Sequence, residues 1–151
     1  MKVSDILRVK GGTLFTITPE DTLADAAQLM AERDIGSLVV ISHGLVVGML
    51  TFREVIQATV KNGGNFGSTT VYRAMDNGPL ICTMETEMDE VRRMMLDRHA
   101  RYMPVMDKGM LMGVISFYDV AKTVVDSQNF ENKMLKAYIR DWPDENKAPA
   151  N

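Results

Sequence analysis

Gly48-Met49-Leu50-Thr51-Phe52-Arg53-Glu54-Val55 and Gly113-Val114-Ile115-Ser116-Phe117-Tyr118-Asp119-Val120 share one pattern. Each reads glycine, two apolar residues, a hydroxyl, phenylalanine, a variable position, an acid and valine. The offset between them also carries Thr18 onto Thr83, Glu20 onto Glu85, Met30 onto Met95, Arg33 onto Arg98, Val40 onto Val105 and Gly44 onto Gly109. A patterned octet that keeps its flanks in register marks an internal repeat, and two copies make a paired domain rather than a solenoid.

Working outward, each copy has the same local grammar. Leu23, Ala26, Ala27 and Met30 recur at helical spacing, with Asp21 or Thr22 as cap and Gly36 as stop. Ser37 to Ile41 and Val46 to Leu50 predict two strands joined by a turn at Ser42-His43-Gly44, and a second helix starts near Phe52. The second copy offers Met88, Val91 and Met95 on a helix, strands at Met103–Met106 and Leu111–Ile115, and a helix from about Phe117. Pro104 lacks an N–H, so its strand is expected at a sheet edge. Short strands are expected before each first helix, at Leu14–Ile17 and Leu80–Cys82. The fold class is therefore α+β, two β-α-β-β-α repeats. Residues 1–62 form repeat 1, 63–70 a Gly-rich linker, and 71–125 repeat 2. Residues 126–151 hold a separate C-terminal helix, ended by Trp142-Pro143, and a frayed polar tail. That helix packs on its own chain or on a partner subunit.

Composition narrows the function classes. The 151 residues carry a net charge of −3 with no basic block, which argues against a nucleic-acid partner. A membrane-spanning helix needs about 20 apolar residues, and no run approaches that, so no membrane partner is expected. No secretory signal is read at the start, and a single cysteine fits a cytoplasmic location. Two histidines and one cysteine make no metal cluster at a usual spacing. No nucleophile–base arrangement suggests an enzyme. Thirteen methionines imply a soft core or an adaptable surface.

The octets place a hydroxyl and an acid at a strand-to-helix junction. A carboxylate there, as in Asp119, can accept both hydroxyls of a ribose. A hydroxyl three residues earlier, as in Ser116, joins the helix N–H groups in binding a phosphate. The alternative is that Asp119, Glu54, Ser116 and Thr51 merely cap their helices.

This arrangement resembles the CBS domain pair, or Bateman module, as found in short stand-alone bacterial proteins. The resemblance rests on Thr18-Pro19-Glu20-Asp21-Thr22-Leu23, on Arg98-His99-Ala100-Arg101-Tyr102-Met103-Pro104-Val105 and on both octets, and spans roughly residues 3 to 125. It implies two repeats packed with pseudo-twofold symmetry, two clefts between them, and a homodimer. Each cleft combines one copy's junction with the other copy's first and central strands. One site would hold Ile17, Thr18, Ile35, Ser37, Ser116, Tyr118 and Asp119. The other would hold Thr51, Arg53, Glu54, Ile81, Thr83, Ala100, Arg101 and Tyr102.

The copies are unequal. Glu54 stands where the family prefers aspartate, which displaces the carboxylate by about a bond length. Arg53 adds a phosphate ligand that the second copy, with Tyr118, lacks. Tyr102 either stacks on adenine or is an ordinary strand residue, and Arg101 either reaches phosphate or is solvated. The resemblance implies no catalytic cofactor. Its regulatory ligand would be an adenosine compound such as AMP, ADP, ATP, NAD or S-adenosylmethionine, and an unknown protein partner would be regulated. The alternative is a ligand-independent dimerisation or scaffold protein that docks a partner enzyme or transporter.

Overall fold

The computed structural model describes residues 1–141. The expected helix end at Trp142-Pro143 and the tail to Asn151 lie outside the described residues.

The hairpins form where the octets begin and end. β2 (Ser37–Ser42) pairs antiparallel with β3 (Leu45–Thr51), and β4 (Tyr102–Asp107) with β5 (Met110–Ser116). Both turns place two successive residues at positive φ: His43 and Gly44 at 52° and 78°, Lys108 and Gly109 at 50° and 80°. Such pairs match the right-handed twist of the strands they join. Each hairpin carries an irregularity at the same step, Val40/Ile41 and Val105/Met106.

Helices α2 (Leu23–Arg33) and α5 (Met88–Arg98) precede the hairpins, and α3 (Phe52–Lys61) and α6 (Phe117–Asp141) follow them. The expected break between the second repeat's last helix and a C-terminal helix is absent. The stretch from Phe117 to Asp141 contains no glycine or proline, so one helix runs through.

The expected first strands are shorter than predicted, and unequally so. In the first half β1 (Thr16–Ile17) runs parallel to β2, with the Val39 N–H donating to the Phe15 carbonyl at 3.2 Å. In the second half a single parallel bridge joins Cys82 to Val105. Pro104 occupies the place of Val39 and has no N–H to donate, so the pairing stops after one bridge.

Two helices lie outside the β-α-β-β-α grammar. α1 (Val3–Lys10) and α4 (Val71–Ala74) dock in the same way on opposite halves. The Val3 N–H donates to the Thr86 carbonyl and the Ser4 N–H to Met84. The Val71 N–H donates to Asp21 and the Tyr72 N–H to Pro19. Each half therefore takes its extra helix from the segment that precedes the other half.

The core divides accordingly. Val3 and Leu7 are buried with Met88, Val91, Met95, Met103, Val105 and Ile115. Val71 is buried with Leu23, Ala26, Met30, Leu38, Val40 and Leu50. Burying side chains of this size stabilises by roughly 1.5–3 kcal/mol each. Gly113 makes room for α1, and Gly48 for the chain just after α4. A Cβ on Gly113 would lie 2.9 Å from Leu7 Cδ2, and one on Gly48 2.7 Å from the Asp76 carbonyl oxygen.

Candidate functional site

Two cavities lie where the halves face each other. The first, of about 560 Å³, is walled by Thr51, Phe52, Arg53 and Glu54 from one junction and by Ala100, Arg101 and Tyr102 from the opposite half. The second, of about 620 Å³, is walled by Ser116, Phe117 and Tyr118 and by Ile35, Gly36 and Ser37. Each is large enough for a ligand of nucleotide size.

In the first cavity Glu54 is, among the described residues, the one buried charged side chain, 9% exposed. Its Oε1 accepts from the Thr51 N–H at 2.8 Å and the Thr51 hydroxyl at 2.9 Å. Burial raises its pKa above the ordinary carboxylate value. The bonds from Thr51 oppose that shift and the charge of Asp76 adds to it. Arg53 turns its Nη2 to the His99 carbonyl at 2.7 Å, at the left-handed end of α5. Ile81 and Thr83 stand outside this lining. Ile81 is half-exposed, and the Thr83 N–H donates to the Thr86 hydroxyl at 3.0 Å. Sequence reasoning missed Asp76, Gly78, Leu80 and Arg98 on the same wall.

Asp119 does not itself line the second cavity; it stands behind the lining residues Ser116 and Lys10, to both of which it is bonded. Asp119 Oδ2 accepts from the Ser116 N–H at 2.8 Å, and the Asp119 N–H donates back to Ser116 Oγ at 3.1 Å, a reciprocal helix cap. Ile17 and Thr18 do not line it. Ile17 is in the core, and the Thr18 hydroxyl donates to Asp21 at 2.9 Å. Thr13, Leu14 and Phe15 supply the first-strand wall instead. Lys10, at the end of α1, is absent from the sequence-based site. A lone lysine before two glycines has no local signature that points to a distant carboxylate.

Arg101 and Tyr102 line both cavities. Tyr102 fits between the halves because Gly36 has no side chain. A methyl group there would collide with the Tyr102 hydroxyl and lie 3.1 Å from the Phe52 ring. Burial raises the Tyr102 pKa and the Arg101 charge opposes the shift, so the phenol stays protonated and can donate at neutral pH. Around the first cavity Arg53, Arg98 and Arg101 face Glu54 and Asp76. Around the second, Lys10 and Arg101 line the wall, and Lys10 pairs with Asp119. Both can hold a ligand with hydroxyls for the carboxylate and an anion for the cations.

Cys82 is buried and its thiol pKa is pushed up to about 12 by burial, which leaves it an inert core residue at neutral pH. No group of three or more His, Cys, Asp or Glu able to hold a metal occurs among the described residues. No helix of the described residues is long and apolar enough to cross a membrane.

Two halves of one grammar, crossing over to build paired cavities, define a tandem-repeat module. The CBS domain family model matches residues 3–61 and 71–126, and the chain belongs to the CBS domain family. The chain is 32% identical over 148 residues to the mitochondrial CBS domain-containing protein CBSX3 of Arabidopsis thaliana, covering 91% of this chain and 71% of that one. It is 25% identical over 114 residues to the CBS domain-containing protein YhcV of Bacillus subtilis, covering 76% and 81%. A crystal structure of a CBS-domain containing protein from Agrobacterium tumefaciens superposes with a TM-score of 0.78 at 30% identity, over 82% of this chain and 98% of that one. The CBS domain pair of protein MJ0100, solved with 5-methylthioadenosine and S-adenosyl-L-methionine, shares the fold with a TM-score of 0.75 at 20% identity, over 84% and 98%.

Proposed function

We propose that this protein is a regulatory sensor that binds an adenosine-containing ligand, an adenine nucleotide or NAD, in the clefts between its two repeats. One observation carries the reading. Each nucleotide-sized cavity joins the strand-to-helix junction of one half to the central strand of the other, with Thr51 and Glu54 lining the first and Ser116, bonded to Asp119 behind it, lining the second. A ligand seated there touches both repeats, so it favours the relative packing that fits it best. It can shift that packing only by its differential affinity for the two arrangements. The presence of adenosine ligands in the MJ0100 pair supports this class of ligand.

The ribose site proposed at the second cavity uses Ser116, Tyr118 and Asp119 with Ile35 and Ser37. The other site uses Thr51, Arg53 and Glu54 with Ala100, Arg101 and Tyr102. The output is a change in dimer packing or in the binding of a protein partner, in the cytoplasm and without catalysis. Exposed Phe130, Met134, Leu135 and Ile139 on α6 and Ile56 and Val60 on α3 support a homodimer. Light scattering should find twice the chain mass, and a concentration-independent monomer would remove that element.

The test is calorimetric titration with AMP, ADP, ATP, NAD, NADH and S-adenosylmethionine, with Asp119→Ala beside the parent. Saturable binding that the variant loses supports the sensor reading. A folded protein that binds none of them supports the second reading, a scaffold that dimerises and docks a partner. That reading is favoured by one fact: both junction carboxylates already act as helix caps.

A further inference from the structure

Lys10 reaches from the last residue of α1 across to the second half. Its Nζ lies 2.7 Å from Asp119 Oδ2 and donates to the Val114 carbonyl at 2.9 Å. Lys10 is 39% exposed and Asp119 15%, so the carboxylate is the more buried partner, behind a lysine that lines the second cavity. Gly11, Ser116 and Tyr118 line the same cavity.

The first half holds no such cation among the described residues. Val114 is the repeat counterpart of Met49, and Met49 pairs there with backbone: its N–H donates to the Asp76 carbonyl and the Asp76 N–H donates back, both at 2.9 Å. At the second cavity a side-chain contact stands in for this pair of backbone bonds. A side-chain ion pair at a cavity wall can be exchanged without breaking a strand. Asp119 Oδ2 already accepts from both Lys10 and the Ser116 N–H, so two adjacent ligand hydroxyls that take both carboxylate oxygens must compete with Lys10 for Oδ2.

We propose that Lys10 is an internal occupant of the second cavity. Its ammonium holds Asp119 while the cavity is empty and is displaced by the paired hydroxyls of a ribose. Ligand entry thereby frees the last turn of α1, a helix whose Val3 and Leu7 lie in the core of the second half. This deepens the sensor reading and rests on it, because it names the internal contact that the ligand replaces.

Adenosine and AMP are the probes, because adenosine has the ribose without the phosphate. They are titrated calorimetrically into the full chain, Lys10→Met and Asp119→Ala, and the binding that Asp119→Ala loses is assigned to the second cavity. Circular dichroism melts establish that each variant folds. Removing a competing ion pair of this exposure should tighten adenosine binding in Lys10→Met by about two- to fivefold. Unchanged or weaker adenosine binding in Lys10→Met overturns the proposal and leaves the sensor reading standing. Loss of AMP affinity alone in that variant also overturns it, and makes Lys10 a phosphate ligand. If parent and variants all bind neither probe, the proposal fails; the sensor reading fails with it only if ADP, ATP, NAD, NADH and S-adenosylmethionine also do not bind.

Discussion

The two halves share an octet but finish their cavities with different material. Beside the first cavity, the chain after α4 comes down to pair with β3, bringing Asp76 and Gly78 to the rim. Beside the second, α1 continues to Lys10, whose side chain reaches the equivalent place on β5. One rim gains an acid facing three arginines, and the other gains a cation on its carboxylate. The repeats supply the matching frames, and the segments between them supply the difference in chemistry.

The largest effect should come from breaking the exchange of helices. Leu7 packs over Gly113 and is 8% exposed, whereas Met75 packs over Gly48 and is only partly buried. Leu7→Ala should destabilise by about 2–4 kcal/mol, and Met75→Ala by less. Urea unfolding of both variants measures this. A loss below about 0.5 kcal/mol for Leu7→Ala, the range of an ordinary surface substitution, would mean that α1 is not seated in the second core.

The wall between the cavities comes next. Gly36→Ala should destabilise by about 1–3 kcal/mol, because the added methyl meets the Tyr102 hydroxyl in a packed site. Tyr102→Phe removes that oxygen, so the double variant should recover part of the loss. A double-mutant cycle with no coupling between the positions would show that Tyr102 does not rest on Gly36.

The comparison also shows what the chain makes legible. The hairpins, the four main helices and the junction residues follow from local pattern. A hydroxyl and an acid three residues apart cap a helix wherever a strand ends, and β-branched runs with paired turn residues form hairpins. Thr51, Arg53, Glu54, Ala100, Arg101 and Tyr102 therefore come together around one cavity, and Ile35, Ser37, Ser116 and Tyr118 around the other, as the family pattern implies. The helices α1 and α4 have no such pattern. They are short, and the repeat register slips between them, with Val3 corresponding to Val71 rather than Ser68. Their placement depends on tertiary hydrogen bonds to residues far along the chain. Lys10 and Asp76 reach the rims only through these helices, so they are invisible locally. Ile17 and Thr18 are expected at the cavity because they align with the strand. In the structure Ile17 faces the core and the wall is set by Thr13 to Phe15.

The carboxylates offer a smaller, pH-dependent contrast. Glu54 is buried and its folded-state pKa is raised, chiefly by desolvation. The folded protein then holds this proton more tightly than the unfolded chain, so the Glu54 contribution falls as pH rises from the ordinary carboxylate pKa through the raised one. It is fully present below that window. Glu54→Gln keeps an amide oxygen for the Thr51 bonds and removes the ionisation. The stability of the variant relative to the parent should therefore increase with pH across that interval and level off above it. Paired thermal melts from about pH 4 to 8 follow this difference, and a flat difference would place the Glu54 carboxylate in water.

The smallest effect concerns the strand that fails to extend. Pro104 stands where Val39 donates to Phe15, and the corresponding acceptor is the Leu80 carbonyl. Pro104→Val restores the donor. A net backbone hydrogen bond contributes about 0.5–1.5 kcal/mol. Replacing proline frees the unfolded chain and costs about 0.4–1 kcal/mol. The two nearly cancel, so the unfolding midpoint should move little. Hydrogen exchange separates them, because it reads the new N–H directly. In Pro104→Val the amide gained at this position should be protected to the same degree as that of Val39, and the parallel pairing should lengthen beyond its single bridge. Fast exchange at that amide would show that the two halves differ in backbone path before the proline, and that the missing N–H is a consequence of the short strand rather than its cause.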